Sequence, residues 1–382
     1  MALIVFMNFL LAISTTIAMS ILPLLTTEKI GLSIFIFGLI ESFTEFLSNI
    51  LRLVGGSLFD RVKNKKNLFV ISTGFALISK ALLLFPSVFS ILGSKIFERL
   101  ANGLFAAPRD AFVGQNAKNK GVALAILSCS KTLGCVLGPL IVSGTVYFLG
   151  DLNSQLYNII IFSLVLATLT VILSFFIKNK ALTIDKRPQD FILSSVISTA
   201  KKIKPLLIIS ILFFLGRFND GMIMLYLKES NLPEWFYLST VGLFNIIMFI
   251  VSPILGFMID RNKVNIALYI TIIALLLFNI SFYFIDISPF FFASSGLIAW
   301  GIQRVGAQIT FSAMIFKSIS DKFYGTGIGL YSLLSGVGNL IASSACGILT
   351  EYSFDYIFLF SGINSLICLI MTIFFYRRKY LD

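Results

Sequence analysis

Long apolar runs alternate with short polar connections along the whole chain. The first charged residue is Glu28, so residues 2–25 form one uninterrupted apolar segment. Similar segments follow at about 32–58, 68–87, 89–112, 121–148 and 155–177. After a polar stretch they resume at about 205–228, 235–259, 264–285, 288–316, 325–350 and 354–376. A helix crossing the hydrocarbon core of a bilayer needs about 20 apolar residues. The pattern therefore predicts an all-α membrane protein with twelve transmembrane helices. A closed barrel also satisfies backbone polar groups in lipid, but its strands alternate apolar and polar positions over about ten residues, and these runs are continuous. A cleaved signal peptide would open on basic residues and carry a shorter apolar stretch. Segment 2–25 does neither and reads as a retained helix.

Composition agrees with the pattern. Hydrophobic residues make up 57% of the 382 positions and charged residues 13%, against about 45–50% and about 25% in soluble domains. Mean hydropathy is +0.95. These values exclude an ordinary water-soluble enzyme core and a disordered chain. The net charge of +12 would suggest nucleic acid in a soluble protein, but its distribution points elsewhere. Twenty-one basic residues fall on one set of connections, including Arg61, Lys63, Lys65, Lys66, Arg109, Arg261, Lys263 and Lys317; the opposite set has only Lys29 and Lys228. Lys and Arg concentrate on cytoplasmic loops. The expected topology thus has both termini in the cytoplasm of a multi-pass cell-membrane protein, with lipid rather than nucleic acid as its surroundings.

Residues 178–204 form the one long polar connection, rich in basic residues and broken by Pro188. They read as a cytoplasmic linker between an N-terminal six-helix bundle (1–177) and a C-terminal one (205–382). No histidine occurs, and the four cysteines Cys129, Cys135, Cys346 and Cys368 lie in apolar runs with no CxxC spacing. Neither a metal nor another cofactor is expected, and the thiols read as inert packing. No G-x-x-x-x-G-K-[ST] phosphate loop is present, so ATP is not the expected energy source within the chain.

The two halves carry a repeat. Span 2 ends Gly56-Ser57-Leu58-Phe59-Asp60-Arg61 and span 8 ends Gly256-Phe257-Met258-Ile259-Asp260-Arg261, 200 residues later. Two six-span halves in one orientation form a parallel repeat of the kind found in secondary transporters. The loop after span 2 continues Lys63-x-Lys65-Lys66; span 4 carries Arg99-x-x-x-Gly103-x-x-Ala106-Ala107; span 5 carries Gly134-x-x-x-Gly138-Pro139.

These motifs, in these spans, resemble the major facilitator superfamily, and in Ala107–Ala111 its bacterial drug-efflux-like branch. The resemblance covers the whole chain. It implies a transporter that rocks two six-helix halves about a midplane site lined by spans 1, 4, 7 and 10. It also implies that Gly56, Asp60, Arg61, Lys65 and Lys66, with Asp260 and Arg261 in the second half, form a conformational latch. Asp60 as a solvated loop acid is the plainer alternative. Gly134 and Gly138 offer a small-residue face for close helix approach, and Pro139 removes one backbone bond. The sequence departs from the pattern where Lys63 replaces the inner loop glycine, where Ile126–Lys131 lacks the His, Arg and Asp of the related branch, and where span 10 has no acid.

Charges inside the spans are candidates for function, because each costs about 2.5–3.5 kcal/mol at a helix centre on insertion scales. Arg99, Lys131, Arg217, Asp220 and Arg304 fall near mid-span. With Trp300, one turn before Arg304, they make the expected substrate cavity. Bases outnumber acids in this set, which favours an anionic substrate. With no imidazole, proton coupling requires a carboxylate: Glu41, Glu45, Glu98 or Asp220. The structural alternative is that each carboxylate holds helices together, for instance Asp220 with Arg217 at i,i+3. Lys80 and Lys95 lie nearer span ends and read as snorkelling to the interface.

The expected function is proton-coupled efflux of a small organic molecule by a monomeric secondary transporter. Uptake or facilitated diffusion of a small organic anion is the alternative, and an ion channel a remoter one. An enzyme is not expected without histidine or a metal-type cluster.

Overall fold

A computed structural model describes residues 2–61, 65–85, 87–116, 120–177, 200–318 and 324–377. The described residues are helical throughout, with no strand among them. The first half contains α1 (Ala2–Leu24), α2 (Ile34–Arg61), α3 (Lys65–Leu82), α4 (Val88–Asn116), α5 (Lys120–Leu149) and α6 (Leu152–Phe175). The second contains α7 (Lys204–Leu215), α8 (Asp220–Glu229), α9 (Glu234–Asp260), α10 (Val264–Tyr283), α11 (Pro289–Ser318), α12 (Tyr324–Leu349) and α13 (Asp355–Arg377). Most of the linker and the side chains of Gly56, Asp60, Arg61 and Lys65 lie outside the described residues.

Among the described residues, eight stretches are long and apolar enough to cross a membrane, including Ala2–Lys29, Lys204–Glu229 and Glu234–Asp260. The other long helices, α2, α3, α4 and α11, carry Glu41 and Glu45, Lys80, Lys95 with Glu98 and Arg99, and Gln303 with Arg304.

The helices gather into two compact units. The first comprises 1–33, 43–186 and 223–245; the second comprises 34–42, 187–222 and 246–382. In the first unit α1 packs on α5 and α6, and α3 on α4 and α6. In the second, α7 packs on α12 and α13, and α10 on α11 and α13. If α7 and α8 count as one interrupted span, the second set of pairings repeats the first, helix for helix. The repeat seen at two loop motifs is therefore also a repeat of packing.

The α1–α5 contact is close because α5 turns its glycines toward α1. A Cβ built on Gly134 would lie 2.7 Å from the Phe9 carbonyl oxygen and from the Ala12 Cβ; one on Gly138 would lie 2.8 Å from the Ile13 oxygen. Thr16 Oγ1 on α1 donates to the Gly134 carbonyl at 3.3 Å, across the space a side chain would fill. Beside this seam, Asn8 Nδ2 donates to the Leu127 carbonyl (3.0 Å) and to Ser130 Oγ (2.9 Å). An apolar core of Ile4, Met7, Leu11, Phe69, Phe105 and Leu127 fills the rest.

The first unit also contains polar contacts near the ends of α8 and α9. Lys228 pairs with Glu28, its counterpart 200 residues earlier. Ser143 Oγ donates to the Trp235 carbonyl at 2.6 Å, and the Leu152 N–H donates to Glu234 at 3.2 Å.

Span 7, which the apolar pattern predicts as one helix over 205–228, is interrupted. Helix α7 stops at Leu215 and α8 begins at Asp220. Gly216 caps α7, and Ser361 Oγ donates to its carbonyl. A Cβ there would meet Ser365 Oγ at 2.9 Å and the Ser361 oxygen at 3.1 Å, so a larger residue would push α13 away. Asn219 Oδ1 accepts the Gly221 N–H at 2.7 Å and starts α8 as a capping residue. Hydropathy cannot report this break, because the four residues between the helices are too few to interrupt an apolar window.

Substituting Gly134→Val should destabilise the protein by about 1–3 kcal/mol, the usual cost of overpacking, because backbone rather than a flexible side chain opposes the new atoms. A lower unfolding midpoint in detergent for Gly134→Val, with Gly144→Val as the open-space control, checks this; no atom lies within 4 Å of a Cβ at Gly144.

Candidate functional site

The interruption of span 7 leaves a short non-helical segment, Arg217-Phe218-Asn219, and places Asp220 in the first turn of α8. A carboxylate there is favoured by the helix dipole. Asp220 Oδ2 pairs with the Arg304 guanidinium, and Oδ1 accepts the Trp300 indole N–H at 2.9 Å. Trp300 and Arg304 are four residues apart on α11 and so share one face. One carboxylate is thus gripped by two consecutive turns of a facing helix. The Asp220 side chain is 13% exposed and that of Arg304 29%, so the pair is sheltered but accessible.

Arg217 lies close enough to act electrostatically on Asp220. Its guanidinium carbon sits 5.6 Å from the Trp300 ring centre and 5.8 Å from that of Phe214, within cation–π range. Trp300 itself is fully buried. Phe278 packs on it at 4.5 Å and Phe218 at 5.6 Å between ring centres. On the other side, Tyr331 stacks on Phe311 at 5.5 Å and approaches Phe214 at 5.9 Å. Arg217 and Asp220 are therefore set in a wall of aromatic rings that fixes their geometry. Asn219 Nδ2 reaches Glu41 Oε2 at 3.4 Å, which brings the buried Glu41 of α2 to the same interrupted segment.

The second unit thus gathers Glu41, Arg217, Asp220, Trp300 and Arg304. Asp220 takes Arg304 as its ion-pair partner. This differs from the structural alternative in which Arg217 would hold Asp220 at i,i+3. The reason is the break, which removes the helical register linking residues 217 and 220. Trp300, placed by the sequence in the expected cavity, orients the acid through its N–H.

The remaining candidates belong to the first unit or to exposed positions. Glu98 is buried on α4, and its Oε2 lies 3.9 Å from Lys80 Nζ of α3. Lys80 and Lys95 are 0% and 1% exposed, so neither snorkels. Their helices pack closely enough for Ser79 and Ser94 to hydrogen-bond at 3.2 Å. Arg99 lies within electrostatic reach of Lys80 and Glu98. Lys131 is exposed on α5, and Glu45 is half-buried on α2. Asp260 and Arg261 are exposed, the latter over the Phe257 ring at 4.0 Å. Lys66 lies 5.9 Å from the Phe175 ring centre.

Three polar features escaped the sequence reading. Asn8 accepts from Arg109, a residue counted there among the loop charges. Asn219 joins the break to Glu41. Glu28 and Lys228 pair as repeat equivalents. Only the last had a usable signal: opposite charges at the offset of the loop motif.

Comparison with known proteins extends these observations. The model of the Major Facilitator Superfamily matches residues 4–343. An uncharacterized MFS-type transporter of Methanocaldococcus jannaschii is 28% identical, over 97% of this chain and 93% of its own. The nucleoside transporter NupG superposes with a TM-score of 0.79 at 13% identity, over 98% of this chain and 98% of its own. A POT family transporter in complex with 5-aminolevulinic acid gives 0.78 at 13% identity, over 100% and 96%. At such identities the solved structures share the fold.

Neutralising one member of the Asp220–Arg304 pair should cost more than neutralising both, because a lone charge would remain in a sheltered site. Asp220→Asn should lower the unfolding midpoint further than Asp220→Asn combined with Arg304→Gln. Equal or additive losses would show that the two side chains do not depend on each other.

Proposed function

The chain belongs to the Major Facilitator Superfamily, a family of multi-pass membrane transporters, and on that premise we propose that it moves a small organic molecule bearing an anionic group by proton-coupled alternating access. The observation that carries the reading is the Asp220–Arg304 pair beside Arg217 at the interrupted span. A guanidinium offers two parallel donors matched to a carboxylate or phosphate. Ionised Asp220 engages the Arg304 fork through Nη1. A proton on Asp220 removes its charge and releases Arg304 to the substrate anion. Substrate and proton then favour each other's binding, and linkage makes the effect reciprocal. Arg217, braced by Trp300 and Phe214, supplies a second guanidinium. Glu41 of α2, tied to Asn219 of the interrupted segment, is a further proton acceptor; Glu45 and Glu98 are alternatives in the first unit.

Coupling of this sign moves proton and anion in the same direction, as in uptake of an organic anion. A second reading is proton-driven efflux. It is favoured by the Gly134-x-x-x-Gly138-Pro139 motif of span 5, which resembles that of antiporters in the family. Both readings place the latch at Asp60 and Asp260, with the Lys- and Arg-rich loops and both termini in the cytoplasm.

One experiment separates them. A panel of small carboxylates and phosphate esters, beginning with 5-aminolevulinic acid, is screened for thermal stabilisation of the purified protein against matched cationic amines. Binding of the best anion is then followed by calorimetry in buffers of different ionisation enthalpy. Cotransport predicts proton uptake on binding, absent in Asp220→Asn; antiport predicts proton release. Arg217→Lys keeps the charge but loses the fork, and should weaken the anion by about 1.5–3 kcal/mol, the range for hydrogen bonds to charged groups. Anion binding indifferent to both Arg217→Lys and Arg304→Lys would overturn the assignment.

A further inference from the structure

At the Lys- and Arg-rich end of the second unit, the start of α7, the α9–α10 turn and the end of α11 enclose a cavity of about 180 Å³. Its polar lining consists of Lys202, Asn262, Asn265, Lys317 and Ser318, with no acid among the described residues that line it. Leu206 and Met314 form an apolar floor. The turn is fixed by Asn262, whose φ of 59° places it in the left-handed region, and Lys317 Nζ donates to its Oδ1 at 3.0 Å. That bond aims the ammonium at the cavity and leaves it two further N–H donors. Lys202, on the opposite wall, is exposed and also lines the cavity. The helices that begin at Lys204 and Val264 add the favourable field of their N-terminal ends, since neither Ile203 nor Lys263 caps them with a side-chain acceptor.

A rim rich in donors around an apolar floor, at the level where the spans end, matches a group with a charged phosphate and an attached hydrocarbon. We propose that this cavity binds a phosphate ester, and that in the membrane its occupant is the headgroup phosphate of an anionic phospholipid. The two lysines clamp the phosphate oxygens, the Asn265 amide completes the contacts, and the first acyl carbons lie over Leu206 and Met314; the Ser318 hydroxyl, which donates to the Met314 carbonyl at 2.8 Å, lines the wall beside them. The site is separate from the Asp220–Arg304 pair and independent of what the protein transports.

The test uses the full-length protein in phosphatidylcholine nanodiscs with increasing phosphatidylglycerol, and native mass spectrometry of bound lipid. Phosphatidylglycerol should be retained in preference to phosphatidylcholine. Lys202→Gln with Lys317→Gln should weaken that retention by about tenfold or more, as expected for lost charged hydrogen bonds. Lys201→Gln with Lys263→Gln, which removes equal charge beside the cavity, should leave most of it. Ser318→Asp, which puts a carboxylate into the cavity, should abolish retention and stands in if the double variant folds poorly. In a lipid-free arm, inorganic phosphate and glycerol 3-phosphate are tested for thermal stabilisation in detergent. Stabilisation sensitive to Lys202→Gln and Lys317→Gln, with no preference for phosphatidylglycerol, would uphold the phosphate site but overturn the lipid as its source. Equal loss in the cavity and control variants, or no response to lipid or soluble phosphate, would overturn the site.

Discussion

A charge within hydrocarbon has no water to neutralise it, and its partner must come from the protein. The second unit meets this demand at Asp220, which is held by the guanidinium of Arg304 and the indole N–H of Trp300 from consecutive turns of α11. The packing around the pair follows from it. Phe218 and Phe278 close on Trp300, and Phe214 and Trp300 present their faces to Arg217. In the first unit the same demand is met by burying Lys80 against Glu98 between α3 and α4.

The break between α7 and α8 makes the Asp220 arrangement possible. A continuous helix would direct residues 217 and 220 along one helix surface. Ending α7 at Gly216 frees Arg217 to turn toward the aromatic wall, and restarting at Asp220 sets the acid at the positive end of α8. The backbone groups released by the break need partners. Ser361 supplies one to the Gly216 carbonyl, and Asn219 supplies one to the Gly221 N–H. Irregular backbone at membrane depth is tolerated where protein satisfies it, and here Asn219 also ties it to Glu41.

Elsewhere the helices approach through small residues. Gly134 and Gly138 let the backbones of α5 and α1 nearly touch, and Gly216 does the same for α7 and α13. Lipid is as apolar as leucine, so such contacts gain their strength from packing and hydrogen bonds rather than from exclusion of water. Glycines in both α5 and α12 are consistent with the repeated pairing of α1 with α5 and of α7 with α12.

The apolar runs by themselves determined the helical class and most helix positions, because a spanning helix must be about 20 residues long whatever surrounds it. The loop motif at Asp60 and Asp260 disclosed the repeat, and the depth of Arg217, Asp220 and Arg304 marked them as residues that need partners. Which partners they take was beyond the sequence, since pairing across helices depends on rotation and register that hydropathy does not encode. Arg304 rather than Arg217 closes on Asp220 because Gly216–Asn219 interrupts the span, and Lys80 and Lys95 are buried where α3 packs on α4. Each outcome rests on distances of a few ångströms between segments far apart in the chain, and those were decided only by the tertiary structure.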